Sequence, residues 1–149
     1  AAIEAKQNRD FFIVARTDSR QALGLNAAIE RGIAFKNAGA DAVFIEAPES
    51  KEEMREISKQ VRGPLVANML ERGVTPLMGP NELKELGFDL IVWPLAPLYS
   101  VAKSLMEVYT TLRRDGSTLA ILDRLMPFDE FNRIVGLDEK YALDAKYRS

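Results

Sequence analysis

The chain has 149 residues, 47% of them apolar and 28% charged, with a net charge of −2 and neither cysteine nor histidine. This is globular composition, and the length suits one domain with a substantial core. It excludes a disulfide framework, a thiolate nucleophile, a zinc ribbon, an imidazole base and the basic footprint of a nucleic-acid-binding module within these residues.

No apolar run approaches the roughly 20 residues that span a bilayer, and AAIEAKQNRD at the start has no apolar signal-type stretch. The expectation is a cytoplasmic protein with no membrane or nucleic-acid partner. Acid–base or metal chemistry within the chain must use Asp, Glu, Lys, Arg, Tyr or hydroxyl groups.

A short apolar run, a polar loop and an amphipathic helix recur four times. Residues 11–15, FFIVA, are continuously apolar, as in strands of a parallel sheet buried on both faces. A loop, RTDSRQALG, follows. The next helix carries Leu25, Ala28, Ile29, Gly32 and Ile33 on one face and stops at Gly39. The second run is Ala42–Ile45, followed by EAPES. Ser50 and Glu53 have capping-box spacing, and Met54, Ile57 and Val61 form a stripe behind them. The third run is 65–69, LVANM, then LERGVTPLMG. Pro80 opens a short helix that ends at Gly87. The fourth is 90–93, LIVW, then PLAP and a longer helix bearing Leu98, Val101, Leu105, Tyr109 and Leu112, which stops near Gly116.

Such alternation predicts βα units and a parallel sheet. The turn after the first run has no GxGxxG, which weakens a dinucleotide-binding reading. Four units are half of a (β/α)₈ barrel, which typically needs about 250 residues. Residues 1–116 therefore read as the C-terminal half of such a barrel. Residues 117–149 read as a helical extension. Leu119, Leu122 and Leu125 predict a short helix, Pro127 breaks it, and Phe128, Phe131, Ile134 and Val135 predict another; YALDAKYRS is polar and aromatic. A neighbouring subunit is the expected cover for these apolar faces.

Functional groups of a parallel barrel collect where strands end. That rule selects Arg16, Thr17 and Asp18, then Glu46, then Asn68, Glu71, Arg72 and Thr75, and finally Pro94 and Leu95. Burying Arg16 and Glu46 costs several kcal/mol per ion unless they are paired or serve a ligand. One reading is an ion pair of Arg16 with Glu46 or Asp18 that plugs the barrel mouth. The other is an anion site, since Arg offers a bidentate fork to a carboxylate and Asn68 can donate to a second one. Glu71 and Arg72 read equally as solvated loop charges. Glu52, Glu53, Arg55 and Glu56 read as a solvated helix face.

At these residues the sequence resembles the isocitrate lyase / phosphoenolpyruvate mutase superfamily. The blocks that carry the resemblance are FFIVARTDSR (11–20), AGADAVFIEAP (38–48), VANMLERGVTPLM (66–78), ELGFDLIVWPLAPLY (85–99) and DGSTLAILDRLMPFDEFNRIVGL (115–137). Within the superfamily the chain is most similar to the group of 2,3-dimethylmalate lyase, oxaloacetate hydrolase and methylisocitrate lyase.

The resemblance implies a (β/α)₈ barrel whose last helices swap between subunits of a homo-oligomer, a dimer or a dimer of dimers. It implies Mg²⁺ or Mn²⁺ and retro-aldol cleavage of a small 2-hydroxy di- or tricarboxylate through an enolate. By position, Arg16 matches the arginine that binds the substrate carboxylate and the developing oxyanion, and Glu46 the glutamate that supports it. Asn68 matches the amide that grips the leaving portion's carboxylate, and Thr75, Pro94 and Leu95 line that subsite. The family's metal-binding aspartates and its cysteine-bearing lid lie in the first barrel half and have no counterpart here, so the metal ligands are expected outside this chain. The alternatives are a noncatalytic half-barrel that assembles with a partner, and a phosphonate-forming P–C mutase.

Overall fold

The structure, a computed structural model, describes residues 1–148. It divides into two compact units, Ala1–Tyr99 and Ser100–Ser149. The first holds four parallel strands in the order β1 (Val14–Thr17), β2 (Ala42–Ile45), β3 (Leu65–Asn68) and β4 (Leu90–Val92). Around them lie α1 (Ala2–Lys6), α2 (Ser19–Leu23), α3 (Leu25–Asn37), α4 (Lys51–Gln60) and α5 (Pro80–Glu85).

The core forms where α3, α4 and α5 lay their apolar stripes on one face of the sheet. Ala28 and Ile29 of α3, Met54 and Ile57 of α4 and Leu83 of α5 are buried together with Val43, Ile45, Leu65 and Ala67. Successive strand residues point to opposite faces. Phe44, Val66 and Asn68 therefore belong to the face turned away from these helices.

The same device joins helix to strand twice. Gly39 and Gly87 adopt left-handed backbone, with φ of 98° and 89°. After α3, Ala40 N–H bonds back to Phe35 and Gly39 N–H to Lys36; after α5, Phe88 bonds to Leu83 and Gly87 to Lys84. These paired bonds close the helix ends as Schellman turns. Two residues beyond each glycine an aspartate accepts from the neighbouring strand. Asp41 Oδ2 takes the Ile13 N–H at 2.7 Å and Asp89 Oδ2 takes the Leu65 N–H at 3.1 Å. The repeat Gly-x-Asp, in AGAD and LGFD, is thus a register device visible in the sequence.

Some boundaries differ from expectation. The first strand is Val14–Thr17 rather than 11–15, and Phe11 and Phe12 stand exposed. The reason is the Asp41 carboxylate: it holds Ile13, and the ladder with β2 begins one residue later at Val14↔Ala42. Arg16 and Thr17 consequently lie within the strand. The segment after it is not all loop, because α2 occupies Ser19–Leu23. Trp93 falls outside β4.

The second unit continues α6 (Ala96–Asp115), followed by a 3₁₀ turn (Leu119–Arg124), α7 (Phe128–Ile134) and α8 (Leu137–Tyr147). Residues 141–147 are therefore helical, although YALDAKY has no clear apolar period. Ser149 lies outside the described residues. No helix among them is long and apolar enough to cross a membrane.

Candidate carboxylate site

Strand register builds the candidate site. Arg16 pairs with Phe44, Phe44 with Val66, and Asn68 with Val92. Two residues along each strand the side chains return to the same face. Asp18, Glu46 and Asn68 therefore make a polar row across the carboxyl ends of three neighbouring strands, with Arg16 one row below.

Arg16 reaches up into that row over the Phe44 ring, its guanidinium carbon 4.7 Å from the ring centroid. Its Nε and Nη2 donate to the two oxygens of Asp18 at 3.1 and 2.8 Å, and Nη2 lies 3.3 Å from Glu46 Oε2. The Glu46 carboxylate in turn accepts from Asn68 Nδ2 at 3.3 and 3.4 Å. The Glu46 N–H donates to the Thr17 carbonyl at 3.0 Å, which ties the glutamate's backbone to β1.

The electrostatics follow from these contacts. The hydrogen bond to Asp18, aided by Glu46, keeps the Arg16 guanidinium charged beyond its ordinary range, against a lesser effect of burial. The same bond holds the Asp18 carboxyl below the usual carboxylate value. Arg16 Nη1 has no protein partner among the described residues. Asn68 Oδ1 is buried without a hydrogen-bond partner, and so is Glu71 Oε2. Arg16 is thus a fork already holding one carboxylate, and Glu46 links it to an amide whose oxygen is unsatisfied.

The turn after β1 is fixed by hydroxyls. Thr17 Oγ1 and Ser19 Oγ, both buried, lie 2.9 Å apart, and the Ser19 N–H donates to Thr17 Oγ1 at 3.2 Å. Beyond it, Arg20 sends Nε and Nη2 to the two oxygens of Glu53 at 3.0 and 2.5 Å, and Nη1 to Glu49. Ser50 caps α4 as its spacing predicts, accepting the Glu53 N–H at 3.1 Å. Glu53, however, is no solvated charge. Its Oε2 accepts the Glu49 N–H at 2.9 Å, and the Arg20 fork holds its carboxyl below the ordinary glutamate value.

Of the residues selected from sequence, the structure brings Arg16, Glu46 and Asn68 into direct contact, with Asp18 as a fourth member. Arg16 is half-exposed, its side chain retaining 48% of its accessible surface, so the expected burial of that charge does not occur. The cause is its position on β1, an edge strand of this sheet. Thr75 is buried in the loop after β3, while Pro94 and Leu95 follow β4; none of the three adds a side-chain hydrogen bond to the cluster. Glu71 has one buried carboxylate oxygen, and Arg72, exposed, adopts φ of 62°. Sequence reasoning missed Arg20. The signal was the pairing of an arginine four residues after Arg16 with the capping-box glutamate.

Mg²⁺ or Mn²⁺, which the resemblance implies, does not fit these residues. Asp18 and Glu46 both face the Arg16 guanidinium, a positive charge that opposes a cation. No three Asp or Glu groups come together as a possible metal cage among the described residues. A hollow of about 560 Å³ lies between α1 and residues 11–14, at the opposite end of β1 from the polar row.

The family model for phosphoenolpyruvate phosphomutase matches residues 1–113. The chain belongs to this family. It is 41% identical over 147 residues to 2,3-dimethylmalate lyase of Eubacterium barkeri, covering 99% of this chain and 51% of that one. It is 47% identical over 150 residues to the chloroplastic carboxyvinyl-carboxyphosphonate phosphorylmutase of Arabidopsis thaliana, covering 99% and 44%. A solved structure of oxaloacetate acetylhydrolase in complex with the product oxalate superposes with a TM-score of 0.84 at 30% identity, over 99% of this chain and 51% of that one. The chain spans about half the length of the relatives it matches. Its four-stranded parallel sheet with flanking helices is the corresponding part of the phosphoenolpyruvate mutase/isocitrate lyase fold, and the relatives include both lyases and mutases.

Proposed function

We propose that this chain is the carboxylate-holding, C-terminal barrel half of a carbon–carbon lyase that cleaves a small 2-hydroxy di- or tricarboxylate. The observation that carries the reading is the row Asp18–Glu46–Asn68 with the Arg16 fork beneath it. A bidentate guanidinium fits a planar carboxylate, and Asp18 already occupies Arg16 in that manner. A substrate carboxylate would take the free Nη1 edge or displace Asp18. The buried Asn68 Oδ1 would accept a hydroxyl or a protonated carboxyl of the ligand, since a buried acceptor left alone costs about 1–3 kcal/mol.

In a retro-aldol cleavage a base takes the hydroxyl proton, the C–O bond becomes a carbonyl, and the electron pair of the breaking C–C bond moves onto an enolate. Arg16 lies where it would hold the carboxylate next to that charge and stabilise it as it develops. Glu46, in contact with both Arg16 and Asn68, orients them. The resemblance puts the acid that protonates the product carbanion on a cysteine-bearing lid, and these 149 residues contain no Cys, so that acid is assigned to residues beyond them. No step of this reading runs through a metal ion held by this chain.

The exposed apolar side chains of Phe128, Phe131 and Ile134 support a homo-oligomer in which the last helices pack on a second subunit. The P–C mutase reading keeps the same carboxylate site but transfers phosphorus between oxygen and carbon, a P–O bond breaking as a P–C bond forms or the reverse, and the Arabidopsis relative favours it. The test is to assay the full-length protein carrying this chain on 2,3-dimethylmalate, 2-methylisocitrate, oxaloacetate and phosphonopyruvate. C–C cleavage of any of the first three, lost in Arg16→Lys, supports the lyase. Conversion of phosphonopyruvate alone, to phosphoenolpyruvate, replaces it with the mutase. The 149-residue chain by itself should turn over none of them.

A further inference from the structure

We propose that Arg20 is a positioning residue: it clamps the segment after β1 to the segment after β2 and thereby sets the approach of Arg16 to Glu46. The inference rests on the carboxylate-site reading for its functional consequence and on geometry for the clamp itself.

Arg20 lies four residues beyond Arg16, yet its side chain retains only 14% of its accessible surface. All three guanidinium nitrogens are engaged by carboxylates 29 and 33 residues away, Glu49 and Glu53. Glu53 is anchored twice more: its N–H caps onto Ser50 Oγ and its Oε2 accepts the Glu49 N–H. The start of α4, the loop 46–50 and α2 therefore meet at one guanidinium.

The loop needs such a restraint. Ala47, directly after Glu46, adopts φ of 58°, where the Cβ of an L-residue is crowded. A non-glycine residue in that region persists when its surroundings over-determine it. Pro48 is buried on its far side, and Glu49 is then held by both Arg20 and Glu53. The strained Ala47 sits between this clamp and Glu46, so the clamp fixes where Glu46 leaves β2. On the other side, Arg16 is half-exposed and shared between two carboxylates 2.8 and 3.3 Å away. A small shift of either segment changes which one it faces. Lysine cannot replace Arg20, because a point charge cannot hold two carboxylates in a fixed fork.

A purely stabilising ion pair would lower the melting temperature and leave the site alone. The experiment therefore compares Arg20→Lys, Arg20→Gln and Glu49→Gln in the full-length protein. Three quantities are read: hydrogen exchange of the Glu46, Ala47 and Glu49 amides (Pro48 has none), affinity for oxalate by calorimetry, and melting temperature. The expected result for Arg20→Lys is exchange at 46–49 faster, and oxalate binding weaker, by roughly tenfold or more. Exchange in α5 and β4 should be unchanged. Glu49→Gln, which removes only the outer arm, should move both readouts the same way by less. Wild-type exchange at 46–49 and wild-type oxalate affinity in Arg20→Lys or Arg20→Gln overturn the proposal, whatever the melting temperature does. Should Arg20→Gln fail to fold, the other two variants decide on the same criteria. If the wild-type protein binds no oxalate, the carboxylate-site reading falls, and the exchange of the Glu46 amide alone confirms or overturns the clamp.

Discussion

Glu46 and Asn68 face one another across the β2–β3 ladder, and their pairing is lopsided. The glutamate takes the Asn68 amide nitrogen with both oxygens, at 3.3 and 3.4 Å, while Asn68 Oδ1 is left buried with nothing to accept from. Buried polar groups in stable proteins are nearly always satisfied. An orphan acceptor at a strand end, joined through Glu46 to an arginine with a free edge, is the pattern of a site built for a ligand and paid for elsewhere in stability.

Asn68→Leu is the direct test of that trade. It removes the orphan acceptor and a weakly held donor while keeping similar volume. Stability should be unchanged or higher by about 1 kcal/mol, because a buried unsatisfied acceptor disappears. Affinity for a 2-hydroxy dicarboxylate, whose hydroxyl can donate to Asn68 Oδ1, should fall at the same time by roughly fivefold, the worth of one neutral hydrogen bond. Denaturant melts and calorimetry on the same preparation check both. Loss of stability with the hydroxy-dicarboxylate affinity intact would make Asn68 a structural residue.

Arg16→Lys should cost about 3 kcal/mol in transition-state stabilisation, because an ammonium cannot grip a carboxylate through two parallel bonds. Asp18 and Glu46 still find a positive charge, so folding should change little. The check is kcat/KM of the full-length enzyme. A drop of less than about tenfold would mean that Arg16 chiefly neutralises Asp18 and Glu46, the plugged-mouth reading.

The pH dependence of stability has a defined sign. The Arg20 fork, together with the Glu49 N–H, holds the Glu53 carboxyl below its ordinary value of 4.5. A carboxyl with a lowered folded-state value binds fewer protons folded than unfolded. Its stabilisation is therefore complete above pH 4.5 and disappears as pH falls through the lower folded value. Asp41, lowered by the Ile13 N–H and then by Lys6, acts in the same direction. Glu53→Gln should flatten the acid limb of a melting-temperature profile while lowering its plateau near neutrality. A mutant profile parallel to wild type below about pH 5 would show that Glu53 is not an acid-sensitive tie.

Much of this was legible from sequence, and the failures are instructive. The four apolar runs, the Ser50 cap, Pro80 at a helix start and the glycines at Gly39 and Gly87 all act as their local chemistry dictates, because each depends on neighbours within a few residues. Arg16, Glu46 and Asn68 could be picked out because polar residues interrupt or end apolar strands. The extent of β1 could not, since the carboxylate that fixes it, Asp41, lies 28 residues from the amide it holds. Glu53 looked like one charge among several on α4 until a partner 33 residues away turned it inward. Long-range ion pairs leave no periodic trace.

Gly32 gives a packing prediction of opposite sign to helix propensity. It lies inside α3, where alanine is ordinarily better by about 1 kcal/mol. A Cβ there would sit 3.0 Å from Val61 Cγ2, 3.3 Å from Ile45 Cδ1 and 3.4 Å from Val43 Cγ1. Three buried branched side chains on a packed sheet have little room to yield, and overpacking costs about 1–3 kcal/mol. Gly32→Ala should therefore destabilise the chain, by about 1 kcal/mol net. Urea melts decide it: a stabilised variant would show that α3 can lift from the sheet without loss.

Assembly is the last expectation. Phe128, Phe131 and Ile134 of α7 are 77%, 52% and 66% exposed, and Tyr141, Leu143 and Tyr147 of α8 are exposed as well. In the first unit Val14 of β1 and Leu90 and Val92 of β4 are exposed on the two edge strands, whose outer hydrogen-bonding groups have no strand partner in the sheet. Large exposed apolar side chains on helices mark association surfaces, and unprotected parallel edges recruit further strands. The 149-residue chain at low micromolar concentration should therefore sediment as a dimer or larger species. Charged substitutions at Phe128 and Ile134 should shift that distribution toward monomer if α7 supplies the interface, and leave it unmoved if the strand edges do. The comparison separates helix-mediated from edge-mediated association. A monodisperse monomer with a cooperative melt would overturn both, because it would require these exposed side chains to be covered within a single chain.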